Sequence, residues 1–379
     1  MSAHEGKGIE ELIAEAQRVL SICNACRYCE GYCAVFPAIE RRLAFDERDV
    51  HYLANLCHNC GACLFACQYA PPHEFQLNFP RVLAQVRKET YKQYAWPRFL
   101  ASAFDRNGTA VAVVAMASLA FFFVFTAWYA DPARFFAAHS DGQGSFYAVL
   151  PHGVMVWVFG VVFAFAMLAF GIAFARFWPD AGERDGEFRW FRSLGNATWE
   201  AAGLKHLDGG GGGCTYPDSR PSFARRNFHH LTFYGFMLCF AATVIATIYH
   251  YAFGWKAPYP FFSLPVLLGT LGGLGLLAGP AGLSWLKHRR DPELADPAQT
   301  GMDAGFLILL FVIGLSGLLL LAFRETRAMG VLLALHLGAV MALFLTLPCG
   351  KFVHALYRFA ALVRFHLERR RPLPRIGSG

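Results

Sequence analysis

Eight of the eleven cysteines in this 379-residue chain lie between Cys23 and Cys67, in two runs of identical spacing. The first is Cys23-x2-Cys26-x2-Cys29-x3-Cys33, and after 23 residues it returns as Cys57-x2-Cys60-x2-Cys63-x3-Cys67. Three thiolates at this spacing can wrap one face of an iron–sulfur cubane, and the duplicated run is the bacterial form for two [4Fe–4S] clusters. The fourth cysteine, starting a helix that leads away, is better placed to reach the other cluster. The spacing therefore assigns Cys23, Cys26, Cys29 and Cys67 to one cluster and Cys57, Cys60, Cys63 and Cys33 to the second. The proline that usually follows the fourth cysteine is missing: Ala34 and Gln68 stand there, with Pro37 and Pro71-Pro72 slightly later. Zinc sites usually come as two separated CxxC pairs, and disulfide frameworks belong to oxidising compartments, so neither competes well. His58, beside Cys57, is either a surface histidine or a donor toward a cluster sulfur.

Histidines are the second set of chemically capable residues. His152, His229, His230, His250, His336 and His354 all fall within or at the ends of strongly apolar stretches, where an ionisable side chain is costly and marks a functional candidate. His336 and His354 are 18 residues apart, five whole turns if one helix runs through both, with about 27 Å between them along the axis. His229 and His250 are 21 apart and miss a common face by about 60°. On two antiparallel helices, His229 then meets His354 at one depth and His250 meets His336 at the other. Two bis-histidine b-haem sites are expected, with a single haem as the variant. His230 rivals His229, and His152 is an alternative outer ligand or a quinone contact.

The elements that must position these residues follow from composition. The chain is 55% hydrophobic with 16% charged residues, on the apolar side of soluble averages. Six stretches, near 109–130, 148–177, 229–253, 261–283, 303–323 and 331–357, are long enough to cross about 30 Å of hydrocarbon. The N-terminal segment MSAHEGKGIEELIAEAQRVL lacks the apolar core of a signal peptide and reads as an amphipathic helix. Six spans place both termini on one side, and the charges agree with a cytoplasmic one. Arg176, Arg184, Arg189, Arg192, Lys205, Arg220, Arg225, Arg226, Lys287, Arg289, Arg290, Arg364, Arg369, Arg370 and Arg371 fall inside, against Arg134, Lys256, Arg324 and Arg327 outside. The +7 net charge is thus a topology signal and implies no nucleic-acid partner.

The expected fold class is all-α: an N-terminal α-helical two-cluster ferredoxin domain, 1–95, followed by a six-helix transmembrane bundle, 96–379, with a cytoplasmic loop over 178–228. Between the cysteine runs, Leu43, Val50, Leu53 and Leu56 recur at helical intervals. The glycine-rich stretch in LKHLDGGGGGCTYPDSRPSFARRNFHH has no GK[ST] ending and no strand before it, so a phosphate cradle is not expected. A loop close to the cluster domain or a partner fits better. Cys214 is either a reactive thiol or an uninvolved one. The glycines and Pro280 of the fourth span signal close packing or a kink.

With CNACRYCEGYCAVFPA, GGGGGCTYPDSRPSFARRNFHHLTFYGF and YHYAFGWKAPYPFFSLPVLLGTLGGLGLLAGPAGL in view, nearly the whole chain resembles the tricarballylate/citrate utilization protein B family. The resemblance implies an electron-transfer component in the bacterial inner membrane. It would reoxidise the FAD of a partner dehydrogenase resembling the tricarballylate dehydrogenase A protein, and pass electrons through two [4Fe–4S] clusters and haem b to membrane quinone. Similar sequence fused to a flavoprotein in a cobalamin-pathway enzyme acting on precorrin-3 keeps a biosynthetic oxygenase role open, and a redox sensor or anchor is a third reading. No GxGxxG flavin or nucleotide fingerprint follows a strand, so substrate conversion is expected on another polypeptide.

Overall fold

Local chemistry sets the first helices of this computed structural model, which describes residues 8–138, 144–181 and 190–370. Arg184, Arg189 and Arg371, counted above among the inward charges, lie outside those residues. The N-terminal part comprises α1 (Ile9–Cys26), α2 (Val35–Ile39), α3 (Glu47–Leu56), α4 (Ala62–Phe65) and α5 (Phe79–Tyr94). The side chains of Asp46 and Asn78 accept hydrogen bonds from the N–H groups of Asp49 and Arg81, satisfying orphan donors in the first turns of α3 and α5. Val19, Leu20, Val50, Leu53, Leu56 and Leu83 close a common core with no exposed surface. Leu43 does not join them. It precedes α3 and is 69% exposed.

The remaining helices are α6 (Asn107–Tyr129), α7 (Pro132–Phe135), α8 (Ser145–Val149), α9 (His152–Ala181), α10 (Trp190–Ala202), α11 (Ala224–Phe253), α12 (Leu264–His288), α13 (Thr300–Phe323), α14 (Met329–Thr346) and α15 (Val353–Glu368). The fold is all-α. Six of the described helices, α6, α9, α11, α12, α13 and α14, are long and apolar enough to cross a membrane. Among the described residues the strands are two short ones, β1 (Cys214–Thr215) and β2 (Pro221–Ser222), antiparallel with Cys214 opposite Ser222.

Glycine lets α11 and α12 approach backbone to backbone. A Cβ on Gly279 would fall 2.4 Å from Thr232 Oγ1, and one on Gly282 would fall 2.2 Å from the Phe228 ring. Without a hydrophobic effect between lipid-facing helices, such small-residue contact is what holds them.

The sixth apolar stretch is not one helix. α14 ends at Thr346, a 3-10 turn covers Leu347–Cys349, Gly350 is extended, and α15 starts at Val353. Pro348 lacks a donor for the next helical turn. The break is then pinned: Asn107 donates to the freed carbonyl of Cys349 at 2.6 Å, and Lys351 pairs with Asp303 at 2.8 Å. Asp303 is also held by Lys287 of α12. From here α15 runs into the N-terminal part, where Glu368 receives Arg42 at 2.6 Å and Arg364 at 2.7 Å, with both guanidinium groups over the Tyr52 ring.

Candidate electron-transfer centre

The structure gathers the eight cysteines in one region, where Cys29 also neighbours Cys60 and Cys63 neighbours Cys57, Cys60, Cys33 and Cys29. Cys23 has Cys29, Cys67 and Cys26 as its electrostatic neighbours, and Cys33 has Cys60 and Cys57. A cavity of about 220 Å³ is lined by Cys23, Cys26, Cys29, Cys63 and Cys67. Burial pushes the Cys29 thiol up to about 12, and thiolates crowded in this way need a bound cation to ionise. Among the described residues no three His, Cys, Asp or Glu converge on a point that would hold a single metal ion. The thiols surround a space instead, which suits a cubane. The backbone supplies dipoles to it: Asn59 N–H approaches Cys57 Sγ at 3.4 Å, and the N–H groups of Val35 and Phe36, opening α2, point at Cys33. No comparable helix follows Cys67, where the chain turns.

His58 is not a surface residue. It is 7% exposed, and its Nδ1 donates to the Leu56 carbonyl at 2.9 Å rather than to a sulfur. Burial, with Arg358 and His206 nearby, holds its imidazole well below the ordinary histidine range, hence neutral. Beside it stands a group the sequence did not announce. His206, 5.5 Å from the His58 ring, and His366 each donate Nε2–H to Oε2 of Glu200 at 2.9 Å, while Lys205 holds Oε1 at 2.8 Å. Burial opposes ionisation of Glu200, but these donors outweigh it and keep the carboxyl well below its usual range.

Of the six histidines in apolar stretches, the structure brings together two pairs. His229 on α11 faces His354 on α15, ring centroids 6.4 Å apart and planes at 77°. Two imidazoles that ligate one iron from opposite sides, with metal–nitrogen bonds of about 2 Å, place their centroids roughly 6 Å apart. His354 Nδ1 donates to the Lys351 carbonyl at 2.5 Å, which fixes the tautomer and leaves Nε2 to ligate. His229 Nδ1 is buried without a hydrogen-bond partner. A haem iron fits these two donors. His230 turns instead toward Tyr234, with centroids 5.7 Å apart.

The outer pairing differs from the expected one. His250 stacks on His152 at 3.7 Å and 15°, too close to admit an iron between the rings. His336 lies flat on α13, its Nδ1 3.0 Å from Ser316 Oγ, and a Cβ on Gly317 would fall 3.0 Å from its Cε1. The break at Gly350 explains this. With α14 and α15 separate, the 18-residue step from His336 to His354 no longer counts turns of one helix.

Two arginines join the histidine pair to the second cysteine run. Arg225, one turn before His229, donates to the carbonyls of Asn59 at 2.5 Å and His58 at 3.3 Å. Arg358, one turn after His354, donates to the Cys57 carbonyl at 2.9 Å. Both lie four residues from their histidine, roughly 6 Å along the axis.

Two family models match the chain. The family model described as the citrate utilization protein B Fer4-like domain matches residues 16–95, and that of citrate utilization protein B matches residues 105–375. The Escherichia coli protein named Citrate utilization protein B is 51% identical over 374 residues, covering 97% of this chain and 95% of that protein. No solved structure matches. A Fer4-like cysteine domain, six apolar helices and identity along nearly the full length place this chain in the citrate utilization protein B family.

Proposed function

We propose that the chain takes electrons from a reduced flavoprotein at the cytoplasmic face of the bacterial inner membrane and delivers them to membrane quinone. The single observation that carries this is the double clamp of Arg225 and Arg358 on residues Cys57–Asn59, with His229 and His354 one turn away on the same two helices. Two [4Fe–4S] clusters and a b haem, when bound, supply one-electron steps between a two-electron flavin and quinone. The residues do the rest. Cys23, Cys26, Cys29 and Cys67 would hold the cluster nearer solvent, beside the exposed Tyr28. Cys33, Cys57, Cys60 and Cys63 would hold the one nearer the helices. His229 and His354 would ligate haem. The arginines fix the gap between cluster loop and imidazoles.

Inward orientation of this domain is supported by Lys205, Arg220, Arg225, Arg226, Lys287, Arg289 and Arg290 on its side, against Arg134, Lys256, Arg324 and Arg327 on the other. The donor is proposed to be an FAD-dependent dehydrogenase of a tricarboxylate such as tricarballylate, because membership in this family and the relative's name point to that metabolism.

The test is reconstitution of the purified full chain in liposomes containing a quinone, with a reduced flavoprotein dehydrogenase outside. Haem α-band reduction followed by quinone reduction is the expected sequence. Quinone reduction that proceeds equally in a His229→Ala, His354→Ala double variant would sink the route.

A further inference from the structure

The glycine-rich segment ahead of α11 has no part in the route above, and its contacts say what it does. Gly209, Gly210, Gly211 and Gly213 all have positive φ, from 57° to 105°, so the chain folds there in a way side-chain-bearing residues resist. That folding presses it onto both cysteine runs. A Cβ on Gly210 would fall 2.8 Å from the Gly31 carbonyl oxygen, between Cys29 and Cys33. From the other side, a Cβ on Gly61, next to Cys60, would fall 2.3 Å from the Thr215 carbonyl oxygen.

The residue delivered by this cradle is Cys214. It begins β1, is held by pairing with Ser222, has no exposed surface, and shares a buried apolar cluster with Cys60, Ala62, Leu64 and Leu207. Its thiol is buried in the same cluster as the thiol of Cys60, and the backbones that carry the two are pressed together where Thr215, after Cys214, meets Gly61, after Cys60. Cys60, as a cluster ligand, is a thiolate and can only accept. A proton shared between the two sulfurs therefore belongs to Cys214.

We propose that Cys214 is a positioning residue of the second cluster, whose S–H donates to Sγ of Cys60 and raises that cluster's reduction potential. A reduced cluster carries one more negative charge than the oxidised one, so a donor on a ligand sulfur stabilises the reduced form more. The effect favours passage of the electron from the outer cluster to the one clamped against His229 and His354. This inference rests on the assignment of Cys60 to a cluster.

The test is an EPR-monitored redox titration of the purified full chain, with iron and acid-labile sulfide counted first. The signal to follow is the one lost in Cys57→Ser. In Cys214→Ala its midpoint falls, so that the reduced-to-oxidised ratio at a fixed potential drops about five- to tenfold. Cys214→Ser, which keeps a donor, recovers most of the ratio, and the other cluster's midpoint stays. Unchanged midpoints with both clusters present overturn the proposal. So does an equal shift of both signals, or loss of the second signal in both variants, which would make Cys214 a packing residue. Iron and sulfide short of two clusters in the unmodified chain would instead fail the cluster assignment itself.

Discussion

Arg358 lies one turn beyond His354 on α15 and donates a 2.9 Å hydrogen bond to the carbonyl of Cys57. The loop of the second cysteine run and a haem-ligand candidate are thereby fixed to successive turns of a single helix. Arg358→Met keeps much of the side-chain stem but removes the donor, leaving the Cys57 carbonyl without that partner, a loss of roughly 1.5–3 kcal/mol for a charged hydrogen bond. The expected outcome is unchanged haem content with at least a tenfold slower haem reduction by reduced flavoprotein, read by stopped-flow absorbance. An unchanged rate would show that the clamp does not set the gap.

His229 and His354 differ from His336 in a way that spectra can read. The first two face each other 6.4 Å apart, whereas His336 is spent on Ser316. Either His229→Ala or His354→Ala should abolish the b-type α-band of the purified protein. His336→Ala should retain it, at a stability cost of about 1–3 kcal/mol for leaving the buried Ser316 hydroxyl with one partner fewer. Loss of the band in His336→Ala alone would move the ligand assignment to α14.

These contrasts mark what could be read from the sequence. The Fer4-like character of the N-terminal part was legible because its signal is local: cysteines with two, two and three residues between them, repeated once. The apolar spans were legible because length and composition suffice. Haem geometry was harder, since the interval between His336 and His354 counts turns only while a helix continues, and Pro348, Gly350 and Lys351 end it. Those three residues inside an apolar run were the available signal. A second was the matched spacing of Arg225 to His229 and His354 to Arg358. Nothing local announces Glu200, whose partner His366 is 166 residues away.

The glycine contacts of α11 with α12 carry a prediction for the haem site. α11 bears His229, and its register is set where Gly279 and Gly282 let Thr232 and Phe228 reach the α12 backbone. Gly279→Val would place a branched side chain where even a Cβ falls 2.4 Å from Thr232 Oγ1, an overpacking cost of about 1–3 kcal/mol or more. Because α11 must move to relieve it, haem content should fall while iron and sulfide remain. Equal loss of all cofactors would indicate general misfolding, which Gly171→Val on α9 controls for, since a Cβ there meets nothing within 4 Å.

Glu200 gives the fold a defined acid limit. Its carboxylate, 6% exposed, joins α10 to α15 by accepting from His206 and His366. A carboxyl whose folded-state pKa is depressed contributes stability that is fully present above its unfolded value of about 4.3 and is lost as pH falls below it. The wild-type contact between α10 and α15 should therefore weaken only on acidification past that value. Glu200→Gln loses the charge at every pH, costing about 3–5 kcal/mol where the change breaks a buried pair. Its thermal midpoint should be lowered at pH 7 and flatter than wild type on acidification, by cysteine-cluster absorbance in detergent. Parallel curves for the two proteins through the acid range would show that Glu200 is not the group that titrates. Because His206 also flanks His58 beside Cys57, the same variant should bleach the second cluster before the first.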